Sequence, residues 1–387
     1  MTIDGQALLT AAGRLVPAYL SMLEQFVNTD SGTHDRDLVQ RAGEFMADAF
    51  EEVFGQLEWV RSGEPQIADT YIARIAGTGT RTVLMLGHHD TVYGAGTAES
   101  RPFRVEDGRA MGPGVMDMKG GVVLGLYAVR LLRDLGVDDL PRIVFVGNPD
   151  EEIGSPTSRA VIEDEAGAAD LVLVLEPGRE PGSIQTTRKG VGMYEMVVDG
   201  VPAHAGARPE DGRSAVLELA HKTVALHGLN DPASGTTVNV GVVNGGTRRN
   251  VVAERAKALI DLRASTAASA EVADRAIRSI AETVVVDGTR TRVSGGLNRP
   301  PMEKTVRTER ALAVGREIVA EMGLDFLEVS SGGGSDGNFT AALGVATLDG
   351  LGPVGRHAHS PDEGLYVGSI PARMALVAGL IARGIPM

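Results

Sequence analysis

Histidines and carboxylates recur in this chain at the ends of apolar runs, at spacings that suit the holding of metal ions. His88-His89-Asp90-Thr91 directly follows RTVLMLG at 81–87. Side chains alternate along a strand, so His88 and Asp90 share one face and His89 points to the other. A metal-binding imidazole beside a carboxylate that orients it has this spacing; a turn or a satisfied hydrogen bond would also account for it. Asp117 stands in GPGVMDMKGG, where glycines let the backbone approach something closely. Its two oxygens can bridge two cations, or it can simply cap the helix that follows. Asp150, Glu151 and Glu152 are three successive acids after RIVFVGN, and they repel one another unless solvated or neutralised by a cation. Glu176 closes the nearly all-apolar run LVLVLEP, where an isolated charge is costly. In the last region, His357 and His359 precede Ser-Pro-Asp-Glu363, and either histidine could be a ligand or a surface residue.

The elements implied by the apolar pattern explain why these groups belong together. RTVLMLG, RIVFVGN (142–148) and LVLVLEP (171–177) read as buried strands, with a helix from about Gly120 to Leu135 and a short one near 155–165. Such runs with helices between them predict an α/β fold with a mostly parallel sheet covered on both faces. The crevice of an open α/β sheet lies at the carboxyl ends of its strands, where the candidate groups fall. The middle of the chain reads β-α-β-β-α-β, the ferredoxin-like order. The architecture expected is a catalytic domain at 1–190 plus 303–387, interrupted by an inserted α+β domain at 191–302.

Composition narrows the chemistry. With no cysteine, any zinc must be held by histidine and carboxylate, which leans towards a catalytic over a structural site. A net charge of −14 has the wrong sign for tracking phosphates, so no nucleic-acid partner is expected. No apolar run approaches the roughly 18–20 residues that span a bilayer, so no membrane partner is expected either. The first 26 residues lack a basic start and a cleavage site and read as an amphipathic helix, which points to the cytoplasm.

Taken in order, GHHDTVY, GPGVMDMKGG, PDEEIGS, LEP, RKGVGMYEM, HAG at 204–206, GGTRRN, NRPP, GGGSDG and HSPDE resemble the M20 metallopeptidases, closest to the glutamate carboxypeptidase branch. The resemblance implies two divalent ions, zinc foremost with cobalt or manganese as alternatives. Asp117 would bridge them, His88 and Glu176 would complete one site, and Glu152 and His359 the other. The family's H-[ST]-x-x-E context selects His359 over His357. Glu151 would be the general base and Asp90 the partner that orients His88. A cis peptide is implied at Asp117-Met118. The inserted domain would act as lid and dimerisation domain of a homodimer, with His204 reaching the partner subunit's site to stabilise an oxyanion. Asn250 and Arg299 would hold the substrate's carboxylate, for which a guanidinium is well shaped. Gly334 would line the specificity pocket. The substrate implied is a small peptide or N-acyl amino acid cut beside a free carboxylate. An N-acyl-amino-acid deacylase of the acetylornithine or aminoacylase type is the nearest alternative, and a catalytically inactive binding protein of the same fold is a further one.

Overall fold

The computed structural model describes residues 3–385. The chain divides into two compact units, one of residues 1–187, 304–330 and 335–387, the other of residues 188–303 and 331–334.

The first unit is built on a six-stranded sheet. Its four parallel strands lie in the order Arg142–Asn148, Thr82–His88, Leu171–Val174 and Ala346–Leu348. Two antiparallel strands, Thr70–Ile75 and Gln56–Val60, extend it beside the Arg142 strand. The parallel strands are apolar at almost every position because both faces are covered. Val83 and Met85 face a core with Leu23, Met46 and Phe50 from the first two helices, Gly5–Val27 and Arg36–Phe54. Leu84 and Leu86 face the opposite core, with Ile162 of helix Arg159–Gly167 and Phe339 of helix Gly337–Ala342. The alternation carries past the strand end: His89 falls on the first face, where its ring lies 5.6 Å from that of Tyr71.

Three neighbouring strands therefore end side by side with the candidate groups at their carboxyl ends. His88 is the register partner of Asn148, two residues before Asp150, and Glu176 follows Val174 by two. Asp117 enters just before helix Gly120–Asp134, whose bounds match the sequence expectation within one residue. That helix presses closely on the Glu176 segment: a Cβ at Gly121 would lie 1.9 Å from the Leu175 carbonyl oxygen, so only glycine fits. The short helix expected near 155–165 instead spans Arg159–Gly167. Just before it, the amide and hydroxyl of Thr157 both donate to Asp150 Oδ2, at 2.7 and 2.8 Å, which ties the start of the helix to the strand end that carries the acids.

The second unit has the ferredoxin-like order. Strands Gly190–Asp199, Thr237–Gly245, Arg255–Ala264 and Arg290–Arg299 form an antiparallel sheet in which the Gly190 strand lies between the last two and the Thr237 strand is an edge. Helices Ala215–His227 and Ala267–Glu282 pack on Tyr194, Met196, Val198 and Ile260. Among the described residues, no helix is long and apolar enough to cross a membrane.

One buried ion pair stitches the two helices of this unit. Lys222 Nζ lies 3.0 Å from Glu218 Oε1, with both side chains shielded from solvent. Glu218 accepts the amides of Val286 and Val285 at 2.6 and 3.0 Å, and Lys222 donates to the Ile280 carbonyl at 2.8 Å. Burial alone would raise the Glu218 pKa, but the Val286 amide and Lys222 outweigh it and hold the carboxyl below its ordinary 4.5. Glu218→Ala leaves a buried ammonium uncompensated and should destabilise the unit by about 3–5 kcal/mol in urea unfolding. The depressed pKa sets the sign with pH. The pair's contribution is present above pH 4.5 and is lost as pH falls through the lowered folded-state value, a slope that Glu218→Ala should flatten.

Candidate metal centre

His88 offers one nitrogen to a cation because its other nitrogen is occupied. Nδ1 lies 3.0 Å from the Asp90 carbonyl oxygen and 3.3 Å from Asp90 Oδ1, both acceptors. A proton on Nδ1 leaves the lone pair of Nε2 facing Asp117 Oδ1 at 3.4 Å and Glu176 Oε1 at 3.8 Å. The second oxygen of Asp117 faces a different histidine: His359 Nε2 lies 3.2 Å from Oδ2 and 3.4 Å from Glu152 Oε2. His88, Asp117 and Glu152 thus form one group whose ligand atoms lie within 4.8 Å of one another, and His88, Glu151 and Glu176 form another. His88 Nε2 and Glu152 Oε1 are buried without a hydrogen-bond partner, a costly state for polar atoms that a cation would relieve. The donor set, imidazole nitrogen and carboxylate oxygen, fits divalent metal ions.

Electrostatics lead to the same conclusion. Burial would lower the His88 pKa, but Asp117 and Asp90 outweigh it and hold the imidazole well above its usual range. Asp117 and Glu152 push His359 up to about 11. Burial would raise Asp117, yet His359 and His88 hold it well below an ordinary carboxyl, while burial raises Glu152. The cluster draws positive charge onto its histidines, and a divalent cation supplies that charge at the same atoms.

Asp90 does more than orient His88. Its Oδ1 accepts the Glu151 amide and its Oδ2 the Glu152 amide, both at 3.2 Å. One fully buried carboxylate thus aims a candidate ligand and the backbone of two further acids. Thr33 donates to Asp90 Oδ2 at 2.8 Å; nothing near Thr33 in the sequence marks it, because it arrives from the first helical hairpin. Lys119 was likewise missed. Its ammonium is buried and donates to the carbonyls of Thr29 and Phe26 at 2.6 and 3.1 Å, tying the Asp117 segment to the end of the first helix. A lysine inside an otherwise apolar and glycine-rich stretch was the available signal. The peptide after Asp117 is cis. His357 is exposed, its carbonyl accepting Ser360 Oγ at 2.8 Å, and it is His359 whose ring meets the carboxylates.

The remaining candidates lie in the second unit, at two separate places. His204 is exposed, and its Nδ1 accepts the amides of Gly206 and Ala207 at 3.2 and 3.1 Å, which leaves the proton on Nε2. Asn250 is its neighbour, since the Ala205 amide donates to the Asn250 carbonyl at 3.0 Å and His204 bridges Val251. Arg299 is buried and pairs with Val191 at the start of the Gly190 strand. Gly334 packs on it: a Cβ there would lie 2.8 Å from Arg299 Cδ and 2.9 Å from Val191 Cγ2. Val191 is eight residues from Asp199, roughly 26 Å of strand, and the His204 loop continues beyond that far end. Within one chain Asn250 therefore lies beside His204, and Arg299 lies at the other end of the Gly190 strand.

A mostly parallel α/β sheet carrying this donor set at its strand ends, in a chain with a ferredoxin-like unit between its two halves, defines a metallohydrolase. The chain belongs to the peptidase family M20/M25/M40, whose pattern it matches over residues 84–383. Carboxypeptidase G2 of Pseudomonas sp. (strain RS-16) is 31% identical over 385 residues, which cover 97% of this chain and 91% of that protein. The crystal structure of aminopeptidase PepT from Bacillus cereus superposes with a TM-score of 0.79 at 23% identity, covering 95% of this chain and 98% of that one. A dinuclear metal-binding peptidase of the M20 family from Bacillus subtilis superposes with a TM-score of 0.68 at 16% identity, covering 96% and 99% of the two chains.

Because Asp90 aims His88 and holds the Glu151–Glu152 backbone, Asp90→Ala should weaken metal binding by about 10- to 100-fold while the protein stays folded. Competition with a chromophoric chelator, alongside circular dichroism, measures both.

Proposed function

We propose that the protein is a two-zinc amide hydrolase that cuts a peptide-like bond next to a free carboxylate and works as a homodimer. The observation that carries this reading is the division of Asp117 between two histidines, Oδ1 towards His88 at 3.4 Å and Oδ2 towards His359 at 3.2 Å. His88, Asp117 and Glu176 would hold one ion, and Asp117, Glu152 and His359 the other; cobalt or manganese could occupy the same donors. The dinuclear metal binding of the Bacillus subtilis relative and the carboxypeptidase from Pseudomonas support the two halves of the reading. When bound, the ions supply Lewis acidity to water and to the scissile carbonyl.

The chain's own residues do the rest. Glu151 takes a proton from the attacking water and hands it to the amine nitrogen as the carbon–nitrogen bond breaks. His204 donates its Nε2 hydrogen to the carbonyl oxygen as negative charge develops there. Arg299 grips the free carboxylate, which orients the scissile bond, and Gly334 keeps the wall beside it open. His204 and Asn250 lie beyond one end of the Gly190 strand and Arg299 at the other, a separation that supports a site shared between two chains. An exposed apolar surface supports the dimer: the edge strand shows Val242 and Val243, and the helix beside it shows Val216, Leu217 and Val224. Unpaired strand edges of this kind are templates for association.

Glu151→Gln should retain both metal ions and lose about 10²- to 10⁴-fold in kcat. Near-normal turnover in that variant removes Glu151 from the base's role. A panel of peptides ending in glutamate and of N-acyl amino acids decides between carboxypeptidase and deacylase. Mixing and re-annealing inactive Glu151→Gln and His204→Ala chains should restore roughly a quarter of wild-type activity, since half the dimers are mixed and each has one intact site. No recovery on mixing would place His204 in its own chain's site or outside catalysis.

A further inference from the structure

One buried carboxylate beside the metal centre takes no part in the proposed reaction. Glu363 lies four residues after His359, on the same loop, and is almost fully buried. Its Oε1 accepts the amides of Met116 and Asp117 at 2.9 and 3.1 Å. Its Oε2 accepts the Gly114 amide at 3.3 Å and lies 2.5 Å from the Tyr93 hydroxyl. That hydroxyl is also 2.9 Å from the Ser360 carbonyl, so one phenolic proton is shared between two oxygens of the His359 loop. Tyr93 itself follows His88 by five residues. The stretches that supply His88, Asp117 and His359 therefore meet at a single carboxylate.

The backbone around this junction needs holding. His357 and His359 have φ of 65° and 61°, a region that costs a residue with a side chain about 1–3 kcal/mol and persists only where the surroundings enforce it. Ser360 supplies part of the restraint: its hydroxyl donates to the His357 carbonyl at 2.8 Å, and its own carbonyl accepts the Glu363 amide at 3.1 Å. The other loop is equally constrained, since Gly114 has φ of 68° and a Cβ there would lie 2.5 Å from Thr91 Cγ2. Asp117 can face two histidines only while its backbone stays put, and Glu363 grips that backbone directly through the Asp117 amide. His88 has its own restraint in Asp90 and does not need this one.

We infer that Glu363, together with Tyr93, is a positioning residue that acts most strongly on the cation on the His359 side: it keeps the His359 loop and the Asp117 backbone in register, while His88 is additionally held by Asp90. The inference rests on the two-ion reading above. Glu363 touches neither substrate nor ion; it acts through the two loops it joins.

The test compares wild type, Tyr93→Phe, Glu363→Gln and a reference His359→Ala by zinc titration against a competing chelator. Cobalt loading followed by visible absorption accompanies each titration, and the melting temperature of the metal-free protein serves as the fold control. His359→Ala identifies which binding step belongs to its side. Tyr93→Phe and Glu363→Gln should each weaken that step roughly tenfold or more and alter the cobalt spectrum of that site most, with a clearly smaller effect on the other step. Tyr93→Phe removes a single hydroxyl, so it keeps the test decisive if Glu363→Gln folds poorly. Wild-type affinity at both steps in Tyr93→Phe, or equal weakening of both, overturns the inference. A wild-type chain that binds fewer than two ions overturns the two-ion reading instead, which separates the two failures.

Discussion

The constraint on which this molecule turns is the mutual repulsion of carboxylates gathered where little water can reach them. Asp90, Asp117, Glu152 and Glu176 converge on two imidazoles, and Asp117 directs one oxygen to each ring. Charges of one sign cannot be packed like this unless positive charge joins them. The raised pKa values of His88 and His359 express that demand. A divalent ion satisfies it better than a proton, because one ion answers several oxygens at once and needs no partner hydrogen. The rest of the first unit can be understood as the apparatus that forces these groups together and keeps them there.

That apparatus relies on backbone more than on side-chain rotamers. Three adjacent strand ends set the spacing of His88, the Glu151–Glu152 turn and Glu176. Asp90 then grips the amides of Glu151 and Glu152, and Glu363 grips those of Met116 and Asp117. Each buried carboxylate thereby positions a segment bearing candidate ligands by holding its main chain. A glycine helix face completes the assembly, since Gly121 admits the Leu175 carbonyl at a distance no other residue would allow. Repulsion among the acids can be tolerated because strands and helices whose cores are apolar on both sheet faces resist the displacement that would relieve it.

The second unit is organised differently. Its sheet has helices on one side only, and the groups proposed to meet the substrate lie at opposite ends of one long strand. His204 is exposed in a loop, with its tautomer set by two backbone amides, whereas Arg299 is buried against Gly334. A group in an exposed loop can reach beyond its own unit, while a buried guanidinium stays where the packing around it holds it. This contrast underlies the separate roles proposed for the two.

Much of this was legible in the amino-acid order. Continuous apolar runs meant strands buried on both faces, the β-α-β-β-α-β pattern meant a ferredoxin-like unit, and donors clustered at strand ends meant a crevice there. These are local properties, carried by the period of apolar side chains and by residue type. Sequence could also place His88 and Asp90 on one face, because alternation along a strand is geometric. It could not choose between His357 and His359 without the resemblance, since both are two-residue neighbours in an irregular loop with no period to sort them. Nor could it find Thr33, Lys119, Tyr93 or the contacts of Glu363, whose partners lie 57 or more residues away and are met only across packed loops. The separation of Asn250 from Arg299 was equally invisible, because it depends on strand register. Sequence by itself determined which elements form and which chemistry their ends carry; tertiary structure alone decided which side chains meet, because contact depends on how distant segments pack and not on the order in which they are joined.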